Sequence, residues 1–343
     1  MADSWNGLAV LITGVCGTVG RELLRQIVAR KPAELIGLDN NETDIFFLSE
    51  EYRDNRNVRL FLGDVRDRDC LLRATEGIDV IVHAAALKHV ILCEQSPRDP
   101  LQTNIVGTQN VIEAAIANQV NRVIFTSSDK AVNPTNVMGT SKLMGERLIT
   151  AANALRRGKG PVFASTRFGN VLGSRGSVVP IFRQQIAAGG PVTVTDPGMT
   201  RFIMTVADAV QLVMESVFLS RGGEVFVTKM PVANILDLAE VMVAELAPRS
   251  GREPKEIEIR TIGPKAGEKL YEELMSEEET RRTIELQRYF AVVPAFKTVY
   301  KSIEYDYPQV VSPRVTRAYR SSLETPMSRA ELEAYLREGG LLQ

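Results

Sequence analysis

Over its first half the chain alternates short, unbroken apolar runs with stretches in which apolar residues recur at helical spacing. Runs at residues 8–13, 35–39, 58–62, 80–84 and 122–126 have strand length, whereas 21–29 and 104–117 carry the period of a half-buried helix. An unbroken run, in place of apolar–polar alternation, marks a strand covered on both faces, the condition of a parallel sheet. Strand and helix in turn therefore predict βαβ units and an α/β fold with a doubly wound parallel sheet.

Beyond about residue 165 the pattern loosens. Segments 169–176 and 189–198 concentrate Gly, Pro and Thr, as loops over a site do. Residues 224–229 read as a late strand and 236–246 as a helix. The acidic stretch 272–279 and a tail helix over 328–337 read as solvated, surface-facing elements. The expected division is a nucleotide-binding domain over 1–168, rejoined by a strand and helix from about 203–246, and a smaller α/β substrate domain over 169–343. No repeat or low-complexity linker parts them, so a shared interface is expected.

Candidate chemistry begins in the loop Thr13-Gly14-Val15-Cys16-Gly17-Thr18-Val19-Gly20, which follows a strand and opens a helix. In that context the three glycines permit a tight turn, close approach of backbone to a pyrophosphate, and close helix–strand packing. Asp39 closes the second strand about twenty residues on, where an acid can hold ribose hydroxyls and repel a 2′-phosphate. Asn40-Asn41-Glu42 follows without a cation, so NAD is expected over NADP. Asp64 and Val65, after the third strand, are placed to hold the adenine edge, and Ala84-Ala85-Ala86 leaves room for a cofactor backbone. His83 reads as a packed or hydrogen-bonded histidine.

Composition excludes several classes. The 343 residues are 44% apolar and 24% charged with a formal charge of -1, which gives no electrostatic footprint for nucleic acid. Cys16, Cys70 and Cys93 are scattered, so neither a disulfide scaffold nor a metal site is expected, and a reducing cytoplasm suits them. No apolar run has the length to span a bilayer, and the first residues lack the basic segment of a signal peptide. A soluble, cytoplasmic protein without membrane insertion is expected.

The densest signal is Ser127-Ser128-Asp129-Lys130, with Met138-Gly139-Thr140-Ser141-Lys142 eight residues later. Together with His83-Ala-Ala-Ala-Leu-Lys-His-Val90, Asn104-Ile-Val-Gly-Thr108, Arg167-Phe-Gly-Asn-Val-Leu-Gly-Ser-Arg-Gly176 and Gly267-Glu-Lys-Leu-Tyr-Glu-Glu273, it makes nearly the whole chain resemble the extended short-chain dehydrogenase/reductase (SDR) family. Within that family the chain is most similar to the CapD-like UDP-N-acetylglucosamine 4,6-dehydratases, in their short form without an N-terminal membrane portion. The resemblance implies a Rossmann-type sheet with a C-terminal UDP-sugar domain, and a homo-oligomer formed through helices on the sheet's face.

It also implies a reaction. The sugar is oxidised at C4, water is eliminated across C5 and C6, and the hydride returns to C6, giving a 4-keto-6-deoxy-N-acetylhexosamine for bacterial surface glycan or nonulosonic-acid synthesis. By resemblance Lys130 abstracts the C5 proton, Asp129 protonates the departing oxygen, Ser128 bonds the C4 oxygen and Lys142 holds the nicotinamide ribose. Ser127 is an adjacent candidate for the Ser128 role. Met138 stands where a reductase has its tyrosine and carries no proton, so Asp129, directly or through water, is the expected acceptor from the C4 hydroxyl. Lys130 must be neutral to act, which cationic Lys142 nearby would favour. Asn104 is expected on the cofactor side. Lys88, Arg167, Asn170, Arg175, Arg201 and Glu268 are expected on the substrate. The alternatives are a UDP-sugar 4-epimerase, which would use a tyrosine and no Asp-Lys pair, and a non-catalytic nucleotide-binding regulator.

Overall fold

The computed structural model describes residues 5–155, 160–263, 267–296 and 303–342. Six strands, β1 (Ala9–Thr13), β2 (Glu34–Asp39), β3 (Val58–Leu62), β4 (Val80–His83), β5 (Arg122–Ser128) and β6 (Val162–Phe168), pair in parallel in the order β3-β2-β1-β4-β5-β6. Their apolar runs are buried on both faces except in β3, which forms an edge and leaves Phe61 and Leu62 exposed. Strand Val225–Thr228 extends the sheet in parallel beside β6. Tyr289–Val292, Thr283–Leu286 and Val310–Ser312 then complete it as antiparallel strands, so the C-terminal half supplies more of the sheet than residues 203–246 alone.

The order reverses between β1 and β4, and in such sheets the crevice beyond the strands' carboxyl ends at that point receives the ligand. Register brings Thr13 level with His83, His83 level with Phe125, and Ser128 level with Phe168. Smaller ladders stand outside the main sheet: Asn170–Val171 and Val232–Asn234 flank Thr200–Met204, and Glu273–Met275 pairs with Tyr319–Arg320. Helices Val178–Ala188, Ile235–Leu246 and Arg329–Glu338 share a separate apolar core. The tail helix keeps its charges outward, as its sequence predicts, while Leu332 and Leu336 seat it.

The acidic stretch 272–279 departs from expectation. Glu272, Glu273 and Glu279 are buried, because each meets a cation delivered by another part of the chain. Arg167 at the end of β6 is 1% exposed and divides its guanidinium between Glu146, at 2.7 and 2.8 Å, and Glu279, at 2.8 and 2.9 Å. A buried guanidinium needs that much compensation. Burial pushes the Glu279 carboxyl up, but the Arg167 charge and hydrogen bonds outweigh it and hold the group at about 2.

Arg167→Met, which removes the short bonds to Glu146 and leaves Glu279 only the longer pair with Arg282 at 3.5 Å, is expected to cost about 3–5 kcal/mol in urea unfolding. Glu279 contributes stability that is present above its ordinary value of 4.5 and lost as pH falls toward about 2. Glu279→Gln should therefore lose stability at neutral pH and show a flatter dependence on pH over that acid window, measured by thermal melts.

Candidate active site

At the switch point the glycine loop closes against the end of β4. Gly14 has φ +72°, and a Cβ there would stand 2.7 Å from both Ala85 Cα and Ala85 N. A Cβ on Gly20 would overlap the Gly14 carbonyl oxygen and lie 2.7 Å from Val15 Cα. Gly17 precedes the helix Thr18–Val28, whose first amides have no side-chain cap. Val19 packs on the core from its first turn. Uncapped amides, a helix N-terminus and small residues Ala84, Ala85 and Ala86 opposite make a cradle that fits a pyrophosphate.

His83 is fully buried beneath this cradle. Thr108 Oγ1 gives its proton to the Asn104 carbonyl, so the imidazole donates from Nε2 to Thr108 at 3.1 Å and accepts at Nδ1 from Thr13, at 2.7 Å. Burial, assisted by the Lys142 charge, holds it down at about 3, so it is a neutral packed histidine. Asn104 lies in a π-helical stretch, Leu101–Val106. It clamps the segment after β4 by bonding Leu87 N and O at 2.8 and 3.0 Å, and it reaches Ser141 Oγ at 2.8 Å.

On the nucleoside side, Asp39 accepts from Cys16 N at 2.9 Å and from Asn41 N at 3.0 Å. Asn40 donates to Asp64, whose carboxyl is held low chiefly by its hydrogen bonds from Arg66. Val65 is buried beneath Gly107. Arg175 and Lys88, expected on the substrate, are bonded to one another and to residues near this side. The Arg175 guanidinium bonds Asp44 at 2.7 and 3.3 Å, its amide donates to Thr18 Oγ1, and its carbonyl accepts from Lys88 Nζ at 2.8 Å. The loop around Arg175 is thereby tied to the start of the glycine-loop helix and to Asp44, a pairing across more than a hundred residues that sequence spacing does not carry.

The chemical centre lies at the end of β5. Ser128 Oγ donates to Asp129 Oδ1 at 2.5 Å, and the Lys130 amide donates to the same oxygen at 2.9 Å. Ser127 is buried with no partner for its Oγ among the described residues, so it makes no such link there. Lys130 Nζ lies 3.2 Å from Asp129 and 3.4 Å from Glu272. Burial pulls its ammonium down, but the two carboxylates outweigh that and raise it above its ordinary value. The expectation of a neutral Lys130 beside Lys142 is thus overturned: its close neighbours are anions, and here it is a cation.

Met138 is buried at the start of the helix Val137–Ala152 and offers no proton. Its neighbour Gly139 lets that helix seat on the Lys130 turn, since a Cβ there would overlap the Lys130 carbonyl. Lys142, one turn on, donates to the Thr126 carbonyl at 2.9 Å and stands 4.7 Å from the Phe125 ring centroid. Burial pulls it down to about 8.

The remaining expected substrate residues divide. Arg167 belongs to the buried triad with Glu146 and Glu279, and its donors are consumed there. Arg201 donates to the carbonyls of Thr200, Lys269 and Leu270 and pairs with Glu268 at 3.7 Å and Glu272 at 3.5 Å. Asn170 is half-buried in the short strand beside Ile203. Sequence reasoning missed Glu272. It stands in the quoted segment Gly267-Glu-Lys-Leu-Tyr-Glu-Glu273, where only Glu268 drew notice. Lys269, bonded to the Val132 carbonyl, and Gly267, bonded by Thr135 and Asn136, dock that segment on the Lys130 turn. No cluster able to hold a metal occurs among the described residues.

Residues 10–294 match the family model described as polysaccharide biosynthesis protein. The chain belongs to that family, in the CapD-like branch of the extended SDR enzymes. It is 50% identical over 294 residues to an uncharacterized membrane protein of Methanocaldococcus jannaschii, covering 86% of this chain and 88% of the relative. It is 38% identical over 297 residues to the inverting UDP-N-acetylglucosamine 4,6-dehydratase of Campylobacter jejuni, covering 86% and 85%. A protein named UDP-glucose 4-epimerase from Rickettsia massiliae is also 38% identical, over 82% of each chain. The solved structure of Pen from Bacillus thuringiensis superposes with a TM-score of 0.92 at 41% identity, over 99% of this chain and 100% of that one. Like other family members, the chain is thus a nucleotide-sugar enzyme of the SDR type. No helix among its described residues is long and apolar enough to cross a membrane.

Gly14→Ala should abolish dinucleotide binding by calorimetry while the helices Val178–Ala188, Ile235–Leu246 and Arg329–Glu338 keep their core, because the added Cβ enters the Ala84–Ala85 backbone. Wild-type affinity for the dinucleotide should fall as pH rises through about 8 and Lys142 loses its charge. Lys142→Met should bind weakly and show no such limb.

Proposed function

We propose that the protein is a UDP-N-acetylglucosamine 4,6-dehydratase that uses NAD and yields a UDP-4-keto-6-deoxy-N-acetylhexosamine. The observation that carries this reading is the Ser128–Asp129–Lys130 chain of hydrogen bonds beside a buried Met138. Elimination needs an acid and a base beyond those of a reductase, and these residues supply both.

The bound dinucleotide supplies a hydride acceptor at C4 and a donor at C6. Thr13, Gly14, Gly17, Thr18, Gly20, Asp39 and Lys142 would hold it. Ser128, already donating to Asp129, can accept the C4 hydroxyl proton and pass its own to the carboxylate, which removes the need for a phenol at position 138. Asp129, now an acid, gives that proton to the leaving C6 oxygen, while Lys130 takes the C5 proton. Arg201 and Glu268 are assigned to the diphosphate and uridine ribose; Arg201 must exchange carbonyl partners to reach a phosphate. NAD is preferred because Asp39 ends β2, although Arg21 and Arg175 at Asp44 bring cations to the same cleft. Tighter binding of NADP than NAD in a titration would reverse that preference. The reading places the enzyme in the cytoplasm as a homo-oligomer. A UDP-sugar 4-epimerase remains the second reading because relatives of equal identity bear that name.

Incubation with UDP-N-acetylglucosamine should yield a product lighter by one water with a new C6 methyl signal in proton NMR. Conversion to the galacto epimer at unchanged mass would establish the epimerase instead. Asp129→Asn should lower kcat by about 10²–10⁴, and Met138→Tyr should bring no gain in turnover.

A further inference from the structure

The group that Lys130 faces on its far side has no assigned part in the chemistry. Glu272 is 3% exposed, arrives from the C-terminal segment, and places Oε1 3.4 Å from Lys130 Nζ and 3.5 Å from Arg201 Nε. Its other oxygen, Oε2, is buried without a hydrogen-bond partner among the described residues. A buried carboxylate oxygen without a donor is costly when ionised and far less so when it carries the proton itself. The charged groups around it are Asp129 and Lys130 from the turn after β5, Arg201 from Thr200–Met204, and Lys269 and Glu268 from its own segment. Burial, then the Asp129 charge, raises its carboxyl above the ordinary range against the pull of Lys130 and Arg201.

We propose that Glu272 is the proton store that frees Lys130 to act as a base, receiving the Lys130 proton at the start of elimination and returning it at the end of the cycle. The inference rests on the dehydratase reading. It answers the difficulty that Lys130 rests as an ammonium, which cannot take the C5 proton. When Asp129 accepts the C4 hydroxyl proton, one of the two anions supporting the Lys130 charge is neutralised, while burial and Arg201 still oppose it. The ammonium then gives a proton to Glu272, leaving a neutral amine and a neutral acid. The amine takes the C5 proton as Asp129 gives its proton to the departing C6 hydroxyl, forming water. Lys130 returns a proton to C5 as the hydride reaches C6, and Glu272 restores the ammonium. Every proton moved is accounted for, and the side chains end as they began.

Glu272 acts through Lys130, so it is a positioning residue with a proton-holding role. Two measurements on Glu272→Gln test it. In the protein without ligands, NMR of 13C-methylated lysines, with Lys130 assigned by Lys130→Arg, should show Lys130 titrating clearly lower than in wild type. With UDP-N-acetylglucosamine in D2O, wild type should release product deuterated at C5. Glu272→Gln should fall about 100-fold or more in kcat at unchanged KM, with no deuterium at C5 in recovered sugar. Glu272→Asp should recover part of the rate with a shifted pH profile, which a merely structural carboxylate would not produce. Turnover of Glu272→Gln near the wild-type rate with the same pH profile, or an unmoved Lys130 titration, would overturn the proposal. Should wild type itself release no water, the dehydratase reading fails; the lysine titration still decides whether Glu272 governs the Lys130 charge.

Discussion

Arg167 is the crosspiece on which the site depends. Its guanidinium, closed to solvent, is bound on one side by Glu146 from the helix that also carries Lys142 one turn earlier, and on the other by Glu279, seven residues after Glu272. Its NH1 also takes the Leu274 carbonyl. Arg167 bonds both carboxylates at 2.7–2.9 Å, closer than the Arg282–Glu279 pair at 3.5 Å, and so ties β6, the Lys142 helix and the C-terminal segment together. That closure adds to the bonds of Gly267, Lys269 and Glu273 that hold the Glu272 segment against the Lys130 turn.

The two lysines of the site show how position, and not residue type, sets chemistry. Lys142 lies among a carbonyl, an aromatic ring and apolar walls, and burial draws it down to about 8. Lys130 is also sheltered, but Asp129 and Glu272 flank it and the balance reverses. A buried charge is tolerated only with its compensation in place. On the proposed reading, neutralising one of those carboxylates changes the charge of the lysine as part of the reaction itself.

The nucleotide cleft follows the same logic of contacts across the chain. The glycine loop needs only its own backbone and the end of β4, and Gly14 and Gly20 are each explained by a single steric contact. Its closure is another matter. The loop around Arg175 is tied down by bonds among Arg175, Lys88, Thr18 and Asp44, drawn from four separate segments. Arg175 is therefore held by Asp44 and Thr18, contacts that its neighbours in sequence do not suggest.

The fold was legible because a parallel sheet buried on both faces must be written as unbroken apolar runs, and β1 to β5 fall within a residue or two of those runs. The core of the site was legible for a related reason. Ser128, Asp129, Lys130, Met138 and Lys142 lie within fifteen residues, on one strand end and the helix that follows, so their spacing along the chain is nearly their spacing in the molecule. The roles of Arg167, Arg175 and Glu272 were not legible. Each depends on a partner between about 100 and 142 residues away, and a charged residue in sequence reads the same whether it faces water or a buried counter-ion. The sequence alone determined the strands, the nucleotide loop and which titratable groups could do chemistry. Only the tertiary structure decided which charges meet, and therefore which proton each lysine holds, because electrostatic energy depends on distance and burial that the order of residues does not encode.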